Sequence, residues 1–390
     1  MVASYHEMSH MHVMHVIDSL HGGGAETSLL ELVPGLAGYG VRTSIVTLLD
    51  DDGVLDERID DLGITRIRLR RRDPLGVIME LRDVICSEEP DMIHTTLLFS
   101  NLTGRIAART VGTPVVTTLA NQEYGPEHRA NSRYGAWSVR AVQAADLFTV
   151  PMTTCFHAIS VDVARVMSSR LRIPKDRIKV VYRGRDPARL GTPTLDRRLR
   201  TRAALSIDVR TPVVLSVGRL DRQKGVETTI AAFRRLTERI PDAVLLVAGR
   251  PGNANAAVRA RAHGCPAVRF LGHRPDIPDL MCAADVLSFP SRWEGLGGTL
   301  VEAMAMRLAI VASEISPLVE TIGDVGWPLV RPDDGQALAQ ELISVLEGGA
   351  GNEARKEAGE KRFRKLFTAE SASEGMAELY HYVLHNNASR

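Results

Sequence analysis

The sequence has few cysteines, no excess of either charge, and no long apolar run. Cys86, Cys155, Cys265 and Cys282 lie far apart with no CxxC spacing, which excludes a disulfide framework and leaves reduced thiols as the expectation. Lys and Arg number 48 against 47 Asp and Glu, for a net charge of +1, so no bulk attraction to nucleic acid or anionic lipid follows. No apolar stretch approaches the roughly 20 residues of a membrane span. The opening residues MVASYHEMSHMHVMHV have neither a basic n-region nor an apolar h-region, so a signal peptide is not expected and a cytoplasmic protein is. His6, His10, His12 and His15 match no zinc template, so no metal is expected there.

The 390 residues suit two domains, and apolar strand-like runs alternate with helical patterns twice over. The first series includes HVMHVIDSL at 12–20 and the β-branched PVVTTL at 114–119, which reads as a buried parallel strand. It ends near residue 186. Residues 187–211 are polar and rich in arginine (Arg189, Arg197, Arg198, Arg200, Arg202, Arg210) and read as a linker with a short helix and a solvated cationic face. No aromatics interleave these arginines, so a nucleic-acid surface is not expected. Alternation restarts with VVLSV at 213–217 and runs to about residue 365, and 366–390 is helical. The fold class expected is α/β, two doubly wound parallel-sheet (Rossmann-like) domains facing a central cleft.

Ligands of such sheets sit beyond the carboxyl ends of the strands. The richest loop there is PSRWEGLGGTLVEAMAM at 290–306, a strand, a glycine-rich turn and a helix start. Such a turn lets a ligand approach the backbone and meet free N–H groups. Two acids bracket it. Carboxylates repel phosphate but accept hydrogen bonds from hydroxyls, so Glu294 and Glu302 point to a ligand bearing both sugar hydroxyls and phosphates. Thr299 and Glu302 equally fit a capping box, which accounts for Glu302 without any ligand. Arg219 and Lys224, in one loop after VVLSV, suit a diphosphate. Gly23 and Gly24, within HGGGAE after the first strand, form another strand–glycine–helix turn, but not GxGxxG. Arg66 to Arg72 is a small basic cluster where peripheral contact with anionic lipid would fall.

These residues resemble the retaining, nucleotide-sugar-dependent glycosyltransferases of family four, with the GT-B fold. The likeness rests on the E-x7-E motif Glu294–Glu302 with PSxxEGxG and EAMA around it, on VGRLDRQKG at 217–225, on GGGAE, and on VVYRGRD at 180–186. It implies transfer of a sugar from a nucleoside diphosphate sugar to an acceptor hydroxyl, with front-face attack and no required metal or other cofactor. By resemblance, Arg219 and Lys224 hold the diphosphate and stabilise the leaving group, and Glu294 binds the donor sugar. Glu302 binds the ribose, Gly295, Leu296, Gly297, Gly298 and Thr299 meet sugar and phosphate through the backbone, and His273 and Arg274 lie near the base. Gly23 and Gly24 approach from the other domain, and the C-terminal helix packs back on the N-terminal domain. Family members commonly carry a histidine just after the strand read as VVTTL, where this chain has Ala120. Either a different donor sugar is used, or Asn121 or Gln122 compensates on the acceptor side, or activity is weak. Acceptors in the family include glycans, lipid-linked sugars and small metabolites. The alternatives are a non-catalytic sugar-nucleotide binder, or a sugar-nucleotide epimerase or hydrolase on the same fold.

Overall fold

The computed structural model describes residues 11–21, 23–49, 55–126, 129 and 135–387. His6, His10, Gly22 and the acidic Asp50–Asp52 run lie outside them. The chain divides into two units, 1–184 with 368–390, and 185–367.

Unit 1 is built on seven parallel strands: β1 (Met11–Ile17), β2 (Val41–Thr47), β3 (Thr65–Arg68), β4 (Met92–Thr96), β5 (Val115–Leu119), β6 (Cys155–Ala158) and β7 (Ile178–Val180). The helices between them are α1 (Gly24–Leu36), α2 (Asp56–Asp61), α3 (Pro74–Glu88), α4 (Leu98–Val111), α5 (Gly135–Thr149) and α6 (Val161–Leu171). Sheet order is β3-β2-β1-β4-β5-β6-β7, so the winding reverses between β1 and β4. All five residues of β5 are buried, as expected for β-branched side chains covered on both faces. α6 begins where a capping oxygen is available: Ser160 Oγ accepts from the Val163 N–H at 3.1 Å.

Unit 2 has six parallel strands: β8 (Val213–Val217), β9 (Val244–Ala248), β10 (Val268–Gly272), β11 (Val286–Phe289), β12 (Ala309–Ser313) and β13 (Leu329–Val330), in the order β10-β9-β8-β11-β12-β13. Its helices are α7 (Pro187–Leu190), α8 (Leu195–Ala204), α9 (Val226–Arg239), α10 (Asn255–Ala262), α11 (Ile277–Ala283), α12 (Gly298–Ala305), α13 (Ser316–Ile322), α14 (Gly335–Leu346) and α15 (Asn352–Leu366). Val226, Ile230, Phe233 and Leu236 recur at helical spacing along α9 and are all buried. Residues 187–211, read as a linker, form α7 and α8 within unit 2. Arg189, Arg200 and Arg210 are exposed, as a solvated face requires, but Arg197, Arg198 and Arg202 turn inward. Arg202 is fully buried, with Nη1 donating to the carbonyls of Asp208, Val209 and Thr211 and Nη2 to Asp285. Arg198 donates to three carbonyls of the α11 end and to Asp285. Long planar donors close loop ends here, a task composition does not announce.

The last helix, α16 (Ala369–Asn387), belongs to unit 1 and packs on α1. Met376, Leu379 and Val383 join Met11, Val13 and Leu36 in one apolar core. Tyr380 brings a polar tip into that core, its hydroxyl 2.7 Å from His94 Nδ1. His94 stacks near His15 and His157, with ring centroids at 5.0 and 5.7 Å. Burial favours the neutral imidazole in all three. It holds His94 well below its ordinary range, His15 at about 3 and His157 at about 4. A base whose pKa is lower folded than unfolded contributes fully above the unfolded value of about 6.5 and loses that contribution as pH falls. His15 and His157 should therefore each cost on the order of 2 kcal/mol between pH 6.5 and 5, and His94 acts in the same direction. Urea unfolding at pH 7.5 and pH 5 measures this; an unchanged midpoint would contradict the neutral cluster.

Candidate active site

Unit 2 reverses its winding between β8 and β11, which pair directly, Val214 with Val286 and Leu215 with Leu287. The loops leaving these two strands are therefore neighbours, though about seventy residues separate them. Backbone contacts join them. The Arg292 N–H donates to Gln223 O at 2.8 Å, and Gln223 Nε2 donates to Trp293 O at 2.9 Å. Gly225 sits at the junction with φ +61, and a Cβ there would collide with Pro290 O, so glycine is required on two counts.

This junction brings together residues that the sequence marked separately. Lys224 Nζ lies 2.5 Å from Glu294 Oε1, with side chains 23% and 8% exposed. The ammonium also sits 5.5 Å from the centre of the Phe289 ring. Glu294 thus has a structural partner that sequence reading did not provide. Arg219 pairs with Asp221 through Nε and keeps its side chain 65% exposed. Asp221 in turn accepts from the Asn253 N–H at 2.8 Å, tying the loop after β8 to the one after β9. An exposed cation and a part-buried one thus share one loop before a helix start, an arrangement that can receive a diphosphate.

The turn after β11 enters α12 through Gly297, whose φ of +86 places the helix start where only glycine fits comfortably. The expected capping box is not formed. α12 begins at Gly298 with no side-chain cap, so Thr299 is already inside the helix. Glu302 turns instead to Arg185, whose Nε donates to Oε1 at 2.7 Å. Long-range pairing with a guanidinium outweighs the local cap. Gly295 and Leu296 are buried, and the Leu296 carbonyl accepts from Thr321 Oγ1 at 2.6 Å, which pins the turn from behind. Arg274, after β10, forms a two-bond pair with Asp276 at 2.7 and 2.5 Å. That contact holds the Asp276 carboxyl below its ordinary range. His273 Nε2 lies 3.2 Å from Arg250 Nη2. Arg185 was missed by sequence reading: it lies 117 residues from Glu302, and no local pattern links the two.

Unit 1 carries its own residues at the matching strand ends. Gly23 and Gly24 are exposed at the start of α1, but Glu26 folds back so closely that a Cβ on Gly23 would meet its Oε2 at 2.5 Å. A carboxylate in that place repels phosphate and favours hydroxyl or amine guests. Asp18, just past β1, accepts from Ser100 N–H at 2.7 Å and from Ser100 Oγ at 2.5 Å. Asn121 Oδ1 accepts from the Gln122 N–H at 2.9 Å, and Gln122 Nε2 donates to Asp162, so both amides are engaged locally. Next to them, Glu123 has its carboxyl pushed up to about 7 by burial, then by Asp146 and Asp18. Among the described residues no cluster of three His, Cys, Asp or Glu side chains could hold a metal ion, and no helix is long and apolar enough to cross a membrane.

Two family models match the chain, Glycosyltransferase Family 4 over residues 22–189 and Glycosyl transferases group 1 over residues 211–348. The 2-deoxystreptamine glucosyltransferase of Streptomyces kanamyceticus is 28% identical over 92% of this chain and 98% of its own length. The 2-deoxystreptamine N-acetyl-D-glucosaminyltransferase of Streptomyces fradiae is 26% identical over 80% of this chain and 79% of its own. Among solved structures, Anabaena HepE in complex with UDP and glucose superposes with a TM-score of 0.84 at 20% identity, covering 96% of this chain and all of that one. Two doubly wound sheets, two acids and two cations gathered at the strand ends of the second, and two matching family models agree: the chain is a nucleotide-sugar glycosyltransferase of family four, with the GT-B fold.

Proposed function

We propose that the chain moves a sugar, with retention, from a nucleoside diphosphate sugar to a hydroxyl of a small polyol acceptor of the aminocyclitol class. The observation that carries the donor half is the Lys224–Glu294 contact across the β8–β11 switch point, with Arg219 on the loop of Lys224 and Glu302 on the helix that follows the turn of Glu294. In this reading the bond from the anomeric carbon to the diphosphate oxygen breaks as the acceptor oxygen bonds to that carbon on the same face. The acceptor proton passes to the departing phosphate oxygen. Lys224 and Arg219 neutralise the charge that develops there, so no metal is needed. Glu294 orients the sugar through its hydroxyls, and Glu302 holds the ribose. The aminocyclitol class is supported by the acceptor named in both Streptomyces relatives. The carboxylates Asp18, Glu26 and Glu123 at the strand ends of unit 1 suit hydroxyl and amine groups alike. Free thiols at all four cysteines fit a cytoplasmic setting. Arg70 and Arg71, exposed beside Leu75 and Met79, are the place for peripheral contact with anionic lipid.

The test is release of nucleoside diphosphate from UDP-, ADP- and GDP-sugars with and without 2-deoxystreptamine, with product mass as a second readout. Release that requires the acceptor and survives EDTA is expected. Release without acceptor would make the protein a hydrolase. Tight donor binding with no turnover would make it a binder.

A further inference from the structure

Glu302 does not stand alone in the donor half. Arg185 Nε bonds to its Oε1, and the two side chains are 7% and 17% exposed. The guanidinium lies under the first turn of α12, where a Cβ on Gly298 would collide with Nη2. The backbone of Arg185 is fixed as well: its N–H donates to the carbonyl of the fully buried Phe367 at 2.8 Å. Asp186, the next residue, accepts from the Ala188 N–H at 2.8 Å and starts α7. Arg185 is thus held by main chain on both sides and places its Nε against Glu302 Oε1. Among the described residues nothing donates to Glu302 Oε2.

A glutamate in an eight-residue helix has several rotamers open to it, and fixing a long side chain costs entropy that a ligand would otherwise have to supply. A fork of N–H donors anchored by the main chain removes that cost before the ligand arrives. The contact is a charge-assisted hydrogen bond, stronger and better defined in direction than a neutral one. Against this, sharing Oε1 with Arg185 weakens that oxygen toward a second donor. Oε2 is unaffected, so orientation should dominate.

We propose that Arg185 is a positioning residue for the nucleotide subsite, holding Glu302 so that its carboxylate is preset to accept the vicinal ribose hydroxyls. The inference rests on the donor reading above. It predicts a loss of sugar discrimination within the nucleotide, rather than a general loss of affinity.

Calorimetric titration of the full-length protein with UDP, ADP and GDP, and with the 2′,3′-dideoxy counterpart of whichever binds most tightly, provides the test. Wild type should prefer the ribonucleotide by about tenfold to a hundredfold. Glu302→Ala should bring that ratio close to one. Arg185→Leu should do the same within about threefold, and Arg185→Lys should restore part of it. A role confined to holding the fold would weaken both nucleotides equally and leave the ratio intact. If the ratio survives in Arg185→Leu while Glu302→Ala abolishes it, the inference is overturned. If it survives in Glu302→Ala, the ribose assignment of Glu302 fails first. If none of the three nucleotides binds, the donor reading itself falls. Should Arg185→Leu fail to fold, Arg185→Met, which keeps an unbranched stem but no N–H donor, gives the same comparison.

Discussion

Lys224→Ala should lower kcat/KM for sugar transfer by about a hundredfold to a thousandfold, the usual loss when one preorganised group facing developing charge is removed. Lys224 reaches its place with its stem close under Gly218, where an added Cβ would stand 3.2 Å from Lys224 Cγ. Its ammonium is shared between Glu294 and the face of Phe289. A diphosphate arriving there must compete with Glu294 for the same three donors. It wins on charge, since it offers two or more negative charges against one. Removing the amine therefore costs the donor complex more than the empty protein. Steady-state kinetics at saturating acceptor give the number, and a loss smaller than fivefold would remove Lys224 from the leaving-group site. Lys224→Arg keeps the charge on a different fork and should fall between the two.

Glu294→Ala should reduce kcat by about a hundredfold with the fold intact, for a different reason. The carboxylate accepts from sugar hydroxyls only if the donor carries a sugar. Affinity for the sugar-free nucleoside diphosphate should stay the same or rise slightly, because Lys224 is released from its partner. Affinity for the intact nucleotide sugar should drop by about tenfold, the worth of one or two hydrogen bonds to a charged group. Equal losses for both ligands would confine Glu294 to orienting Lys224. The pair is in contact, so the two variants should not add; the double variant should lose less than the sum of the single losses.

Much of the architecture was legible before any coordinates. Continuous apolar runs marked strands such as β5 and β8, and glycine clusters marked the loops that leave β1 and β11. Strand order cannot be read this way. It is the order that makes β8 and β11 neighbours and so turns two loops into one site. Pairings across long stretches of chain were equally hidden. Arg185–Glu302 displaced a plausible local cap, and Lys224–Glu294 joined residues assigned to different parts of one ligand. Arg202 shows the same limit: an arginine-rich polar stretch reads as solvated, yet its central guanidinium is buried and donates to four backbone carbonyls and Asp285. His94 and Tyr380, 286 residues apart, could be paired only once the last helix was seen against the first sheet.

That last helix bears on how the protein is made. Unit 2 is a continuous run, complete when residue 367 has been synthesised. Unit 1 is begun first and finished last, because Met376, Leu379, Tyr380 and Val383 fill its core only after the final turn of α16 has left the ribosome. Domains usually fold in order of synthesis. Here unit 2 can reach its native state while unit 1 still waits with its apolar face and its three histidines uncovered. A nascent chain ending at residue 367 and extended by a flexible linker that clears the ribosome exit tunnel should then resist protease across 185–367 and be cut in the strands of unit 1, the reverse of the usual N-to-C sequence.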